Sequence, residues 1–287
     1  MSRVWCGMIR MFLLLIAIAL PACAENWVVD VWPEGKVPGK LASEPESEVK
    51  RDDGYQRITN VSRPTLTWFP TKGNPQHSTP LIIICPGGGY RYTVVDKEGS
   101  EIAERFNQAG VAALVLKYRT PQNREGAFQD VQRAVRLARF RAAGWKIDPQ
   151  KIGVIGFSAG GHVAAKASNQ FGRRSYEPLD DIDSLSCRPD FAILVYPAYL
   201  DDKQGGVSPD LDLRADIPPT LIVHSEDDKT HVVGSKIYSS ALSDAGKTHA
   251  FKLYTTGGHG YGLHSEGEAS VWPEAAVEWL KQAGMIR

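Results

Sequence analysis

The sequence has no net charge, because 33 lysines and arginines stand against 33 aspartates and glutamates. Without an excess of one sign there is no field to gather nucleic acid or an anionic membrane, so the expected partner is a neutral molecule. There is no internal repeat and no low-complexity linker, and nothing therefore points to a repeat array or a tethered second domain. The apolar run Met11 to Leu20 holds only 10 residues, against the roughly 20 that a membrane-spanning helix needs. Cysteine is scarce, at 4 residues, too few for a disulfide scaffold.

What is present begins with a leader. Arg3 and Arg10 give a positive start, Met11 to Leu20 an apolar centre and Ala22-Cys23-Ala24 a small-residue cleavage site, so residues 1–24 are expected to be an export signal. The product would be secreted or periplasmic, with Glu25 as its first residue. A second form of export stays open: Leu20-Pro21-Ala22-Cys23 resembles a bacterial lipobox, which would leave a lipid anchor on Cys23. Loss of the leader removes Cys6 and Cys23. Cys85 ends one strand and Cys187 precedes another; these are opposite ends of a parallel sheet, beyond the roughly 7 Å Cα limit for a bridge. Two free, buried thiols are expected.

A chain of 287 residues with 43% apolar residues can bury one large core. From Pro80 onward, β-branched runs alternate with helical patterns, the signature of a mostly parallel sheet covered on both faces. The strands are expected at Leu81 to Cys85, Val111 to Lys117, Ile152 to Gly156, Phe191 to Tyr196, Leu221 to His224 and Phe251 to Tyr254. The helices are expected at Glu98 to Gln108, Ala127 to Ala143, Ala159 to Asn169, Val233 to Ala245 and Pro273 to Gln282. In the second helix Val131, Ala134, Val135 and Leu137 share an apolar face, which leaves Arg133, Arg136 and Arg141 as expected solvent contacts. Residues 25–64 read as a polar N-terminal arm, and Thr65 to Phe69 as an antiparallel edge strand opening a catalytic domain over 65–287. The chain between residues 158 and 228 has no space for a large lid, so the site is expected to be open.

Four segments carry chemistry. Gly156-Phe157-Ser158-Ala159-Gly160 stands between a strand and a helix, the setting of a nucleophile elbow, and the helix N-terminus favours an oxyanion there. Cys85-Pro86-Gly87-Gly88-Gly89-Tyr90 ends an earlier strand, where glycine N–H groups can approach a tetrahedral intermediate. It lacks the lysine of a phosphate-binding loop, and no G-x-G-x-x-G follows. The expected oxyanion donors are Gly88, Gly89 and Ala159, with the choice of glycines open by one position. Ser225-Glu226-Asp227-Asp228 emerges from a late strand, and Gly257-Gly258-His259-Gly260 follows the last one. The order Ser158, Asp228, His259 is the α/β-hydrolase order of nucleophile, acid and base, with Asp227 as the neighbouring alternative for the acid. Tyr90, Arg91, Tyr92, Tyr196, Tyr199 and Tyr261 are candidate substrate contacts, the tyrosines as platforms for sugar rings or as ordinary packing.

Those segments, together with Lys117-Tyr118-Arg119, Asp148-Pro149 and Gly161-His162, resemble the bacterial esterase/lipase family that includes carbohydrate acetylesterases and acetyl-xylan esterases. The resemblance covers Trp68 to the C-terminus. It implies an α/β-hydrolase fold, serine carboxylesterase chemistry with neither metal nor organic cofactor, and a small-molecule or carbohydrate ester as substrate. One departure is Thr230-His231-Val232-Val233, where the family carries Val-Pro after the acid. Deacetylation of a polysaccharide or oligosaccharide such as acetylated xylan is the expected function. The alternatives are a broad short-chain esterase and a non-catalytic carbohydrate-binding protein. A glycosidase is disfavoured for want of two carboxylates with strand context.

Overall fold

The structure is a computed structural model that describes residues 26–71 and 77–286; the leader expected at 1–24 and the anchor expected at Cys23 lie outside them. In chain order the strands and helices are β1 (Val28–Asp30), β2 (Ser47–Glu48), β3 (Arg57–Thr59), β4 (Thr65–Phe69), β5 (Thr79–Cys85), β6 (Thr93–Val94), α1 (Glu101–Asn107), β7 (Ala112–Lys117), α2 (Arg124–Trp145), β8 (Ile147–Phe157), α3 (Ala159–Asn169), β9 (Ala192–Val195), β10 (Thr220–Ser225), α4 (Val232–Asp244), β11 (His249–Tyr254) and α5 (Trp272–Gln282). A π-helical turn, Asp96–Ser100, runs into α1. Eight strands form one sheet in the order β1-β4-β7-β5-β8-β9-β10-β11. The pairs β1/β4 and β4/β7 are antiparallel and the rest parallel. This is an α/β-hydrolase sheet with an antiparallel edge.

Alternation along the central strands divides the core. Leu81, Ile83 and Cys85 of β5 join Leu114 and Leu116 of β7 in a cluster with α2 and α3. Ile82 and Ile84 point the other way, into a cluster with α1 and α5 that contains Phe106, Phe157 and Trp272. A strand with both faces covered reads as a continuous apolar run, which is what Leu81 to Cys85 is. Cys85 and Cys187 are free and buried, and burial pushes the Cys85 thiol up to about 12.

The arm does not stand apart from the domain. β1 extends the large sheet, and β2 and β3 pair with β6 in a small second sheet. Asp130 of α2, wholly buried, receives Trp32 Nε1 at 2.7 Å and Arg119 Nε at 3.0 Å, so the arm, the end of β7 and α2 meet on one carboxylate. The expectation of solvent contacts for the α2 arginines is corrected for two of them. Arg133 is buried against Asp180 and Asp183 at 2.6 and 2.8 Å, and Arg136 donates to Leu185 O and Tyr176 Oη. Their long stems cover apolar surface while the heads reach loop acceptors. Arg141 is exposed as expected.

The topology also sets where a ligand can sit. The chain leaves β5 for β7 on one side and returns through α2 to β8 on the other. The crevice beyond the carboxyl ends of β5 and β8 is therefore a switch point, the preferred ligand position in open α/β sheets.

Candidate active site

Ser158 stands on the turn from β8 into α3 with φ 51° and ψ −116°, a region L-residues avoid and one held only when surroundings over-determine it. The surroundings do so by close approach. A Cβ on Gly156 would lie 2.1 Å from Gly160 O, and one on Gly160 would lie 2.0 Å from Cys85 O. Ser158 N donates to Val195 O and its carbonyl accepts from Ala198 N, at 3.2 and 3.0 Å. Any side chain at either glycine would push the turn off the sheet, which is the steric content of the motif.

His259 Nε2 is 2.8 Å from Ser158 Oγ, and its Nδ1 is 2.6 Å from Asp228 Oδ2. The carboxylate can only accept, so Nδ1 carries the proton and Nε2 is left to accept from the serine hydroxyl. Asp228 is buried while His259 is exposed at the mouth. Burial pulls the Asp228 carboxyl upward, but hydrogen bonds from His224 and His259 outweigh it and hold the group well below the ordinary carboxylate range. The same oxygen is 2.8 Å from Nε2 of buried His224, whose Nδ1 meets Ser235 Oγ at 2.7 Å. By the same logic His224 donates from Nε2 and accepts from Ser235.

Asp227 does something different. Exposed, it accepts the N–H groups of Gly257 and Gly258 at 3.1 and 2.8 Å, so it fixes the loop that bears His259. Of the two neighbouring acids, Asp228 is the one bonded to the imidazole.

The glycine loop runs past Ser158 at close quarters. A Cβ on Gly87 would be 3.0 Å from Ser158 Cβ. Gly88 has φ 135°, with Tyr92 O only 2.0 Å from where a Cβ would stand, so no other residue fits. Gly89 lies beyond it, and Ala159 is the first residue of α3, one of the positions whose N–H has no partner within the helix. Beneath the loop is a buried carboxylate that sequence reasoning passed over. Glu98 Oε2 accepts Gly87 N at 2.7 Å and Oε1 accepts Tyr196 Oη–H at 2.8 Å. Tyr196 Oη in turn accepts Gly262 N at 2.9 Å. Burial raises the Glu98 carboxyl, against these hydrogen bonds. The glycine loop and the His259 loop are thus tied to one side chain.

The candidate platforms are corrected by their burial. Tyr90, Tyr196 and Tyr261 are 1%, 0% and 5% exposed and offer no ring face to a ligand. Tyr90 Oη bonds His162 Nδ1 at 2.6 Å, and Tyr196 stacks edge-on against Tyr261 at 4.4 Å. Arg91 is exposed, and Tyr92 and Tyr199 are half-buried. Tyr199, with φ 60°, is the ring that reaches the site: its hydroxyl is 3.8 Å from the Cβ position of Gly89. His231, in the segment that departs from the family pattern, packs 4.7 Å from the His259 ring and 6.1 Å from Tyr199. Glu98, His224 and His231 were legible only as ordinary residues inside predicted elements or quoted motifs; the signal that marks them is polarity at a buried position.

Among the described residues, His224, Asp228 and His259 form one group whose ligating atoms lie within 4.8 Å of one another. The ring nitrogens of this set are engaged by Ser235, Asp228 and Ser158 in hydrogen bonds of ordinary length. That pattern orders protons along a chain.

Residues 69–181 match the BD-FAE family. An acetylxylan esterase of Xylanibacter ruminicola is 32% identical over 208 residues, covering 63% of this chain and 41% of that protein. Endo-1,4-beta-xylanase B of Butyrivibrio fibrisolvens is 28% identical over 253 residues, 79% of this chain and 38% of that protein. The chain spans less than half the length of each of these curated relatives. Among solved structures, an acetyl ester-xyloside bifunctional hydrolase from Caldicellulosiruptor lactoaceticus superposes with a TM-score of 0.75 at 26% identity, over 93% of this chain and 100% of that one. A thermophilic esterase of Thermogutta terrifontis gives 0.67 at 24% identity over 88% and 95%, a likeness of fold. The chain thus has the α/β-hydrolase fold, and what it is similar to includes the BD-FAE family over residues 69–181, an acetylxylan esterase and an acetyl ester-xyloside hydrolase.

Proposed function

We propose that this chain is a serine carboxylesterase that removes short acyl groups, acetyl foremost, from a polysaccharide or oligosaccharide such as acetylated xylan. The observation that carries the reading is the continuous hydrogen-bond chain from Ser158 Oγ through His259 to Asp228, at 2.8 and 2.6 Å, opening at the switch point beside the glycine loop. In this reading His259 Nε2 takes the Ser158 proton as Oγ attacks the ester carbonyl, and the carbonyl π electrons move onto oxygen. N–H groups of Gly88, Gly89 and Ala159 receive that oxyanion, each such donor contributing about 2.7–4 kcal/mol to the barrier in comparable sites. The tetrahedral intermediate collapses, the alcohol leaves with the proton from His259, and water repeats the sequence on the acyl-enzyme. Asp228 keeps the imidazole in the required tautomer and balances the imidazolium.

The acetyl and saccharide parts of the reading draw on the acetylxylan esterase and the acetyl ester-xyloside hydrolase that this chain resembles. The open site expected from the short stretch between residues 158 and 228 would favour a short acyl group, because each added CH₂ gains roughly 0.8 kcal/mol only where apolar surface encloses it. Export to where such polymers lie rests on the leader sequence at residues 1–24; no helix among the described residues is long and apolar enough to cross a membrane.

The test is acetate release from acetylated xylan, peracetylated monosaccharides, and simple acetyl and octanoyl esters, beside a reducing-sugar assay. Acetyl hydrolysis that vanishes in Ser158→Ala, by about 10⁵-fold or more, with an unchanged thermal melt, is expected. Faster octanoyl than acetyl turnover would overturn the short-acyl reading. Release from simple esters with none from any acetylated sugar would leave a broad esterase.

A further inference from the structure

Near the site two cations stand without an ion-pair partner among the described residues. Arg91, two residues beyond Gly89, and Arg124, the first residue of α2, are both exposed, and among the described residues neither guanidinium has a carboxylate partner. Glu125, beside Arg124, is committed to Lys166 and Arg173 at 3.5 and 2.6 Å. The two guanidiniums instead lie over aromatic rings. Arg124 Cζ is 4.4 Å from the Tyr199 ring centre and 5.0 Å from that of Tyr90, and Arg91 Cζ is 5.9 Å from that of Tyr92. A ring beneath a guanidinium holds it in place without consuming its N–H donors, which stay in the ring's plane of approach and available to a ligand.

These groups flank the path from the nucleophile. Arg91 Nε and Tyr199 Oη both lie 3.8 Å from the Cβ position of Gly89. Tyr199 continues through His231, at 6.1 Å, to His259, at 4.7 Å, so Ser158, the two histidines, Tyr199 and Arg124 form one wall. Tyr199 is fixed on that wall by a left-handed backbone that only a determined environment maintains. An ester with its carbonyl at Ser158 and a short acyl group would have Tyr199 and the two cations in reach of its alcohol part. A neutral sugar can use the tyrosine but leaves both guanidiniums without a counter-charge. A carboxylate offers the planar pair of oxygens that a guanidinium fork matches.

We propose that this rim is an anion subsite and that the substrate is an acylated saccharide whose alcohol part carries a carboxylate, a uronic acid unit at or next to the esterified sugar. The assignment rests on the serine esterase reading above and names its substrate class. The experiment compares kcat/KM of the enzyme on an acetylated methyl glucuronoside, the matching acetylated methyl glucoside, a monosuccinyl ester of the methyl glucoside and p-nitrophenyl acetate, at low and at 0.5 M sodium chloride. The expected result is a preference of about tenfold or more for the glucuronoside over the glucoside, carried by KM and reduced by salt, as an attraction between exposed charges must be. In Arg124→Gln and in Arg91→Gln the ratio of glucuronoside to glucoside falls at least threefold, and Arg124→Lys regains part of it. Equal rates on the two acetylated glycosides, a preference that survives both glutamine substitutions, or a preference for the succinyl ester in place of the glucuronoside would each overturn the subsite. No hydrolysis of p-nitrophenyl acetate would instead strike the esterase reading beneath it.

Discussion

The two halves of the site are built by different means. Ser158 and the glycine loop follow β8 and β5, central strands with both faces buried, and at Gly88, Gly156 and Gly160 backbone contacts are so close that only glycine fits. Asp228 and His259 sit after β10 and β11, and β11 is the sheet edge, half-exposed along its length. There the two glycines that flank His259 are not crowded: a Cβ on Gly258 or Gly260 would meet nothing within 4 Å, and crowding returns at Gly257, 2.3 Å from Ser225 Oγ, and Gly262, 2.9 Å from Lys97 O. What fixes His259 is a set of polar side chains, Asp227 on the loop N–H groups, Asp228 on the ring, and Glu98 through Tyr196 on Gly262. Sterics can place a group where the core is dense; at an edge, hydrogen bonds have to do it.

The sharpest way to break the comparison is to put the same methyl group into each half. Gly160→Ala drives a Cβ to 2.0 Å from Cys85 O and 2.5 Å from Pro86 O, so the end of β5 must move and carry the glycine loop with it. A loss of about 3 kcal/mol, the upper range for overpacking, and of nearly all esterase turnover is expected. Gly258→Ala meets no atom and suffers only the left-handed backbone, φ 69°, at about 1–2 kcal/mol. Thermal melts beside acetyl ester rates decide; equal losses in the two variants would show that the halves are not differently built.

Within the edge half the two adjacent acids should separate. Asp228→Asn can present an amide to His259 Nδ1, and the wrong tautomer follows, a change that costs about 10⁴-fold in kcat in such triads. Asp227→Asn keeps one acceptor for the loop and loses the other, and a fall of tenfold or less is expected from one weakened hydrogen bond. If Asp227→Asn is the more damaging of the two in steady-state kinetics, the acid has been misassigned.

This contrast also explains what the sequence made legible. The central strands announced themselves because burial on both faces leaves an apolar run, and the elbow because its glycines are a steric requirement with fixed spacing. The helix α2 followed from its apolar face, and α3, read as the helical stretch after the elbow, was expected at the residues where it lies. What escaped was polar and buried. Arg133 and Arg136 looked like surface because arginine usually is, and only the fold of the arm and of residues 176–185 over α2 supplies their acceptors. Tyr90, Tyr196 and Tyr261 looked like platforms because they adjoin motif residues, yet their hydroxyls or rings are spent inside the protein. Glu98 fell at the start of a predicted helix, and nothing local marks a carboxylate that works across 98 residues of sequence.

Glu98 joins the halves, so a conservative change there should sharpen the comparison without destroying either. In Glu98→Gln the amide oxygen can still accept Gly87 N, but its NH₂ faces a Tyr196 hydroxyl whose proton then has no acceptor. A cost of about 1–2 kcal/mol follows from one buried polar group left unpaired, and kcat is expected to fall about tenfold with KM little changed. Melts and steady-state rates measured together test this; a stability loss with no effect on kcat would confine Glu98 to a structural role.

The smallest expected effect is a slope. Burial, opposed by Asp228, lowers the pKa of His224, so its ring stays neutral in the fold where an unfolded chain would bind a proton. The unfolded state therefore takes up more protons as the pH drops below the ordinary histidine value of about 6.5, and acidification favours unfolding. The stabilisation is complete above that value and is lost as the pH falls through the folded pKa. Asp228, held low by His224 and His259 against its burial, adds a second loss only in the range below about 4, where carboxylates in the unfolded chain protonate. The windows are separate, so between pH 6.5 and 5 the histidines are read apart from Asp228, and each titrating group there gives a slope of at most about 1.4 kcal/mol per pH unit. His231, also lowered by burial and by His259, contributes in the same direction and remains in the variant. His224→Gln keeps a donor for Asp228 and removes the titration. Urea denaturation at pH 5 and pH 7 should show a smaller drop in stability for the variant than for the wild type, whatever its absolute stability. A drop of equal size in both proteins would mean that His224 does not carry the acid sensitivity of the edge half.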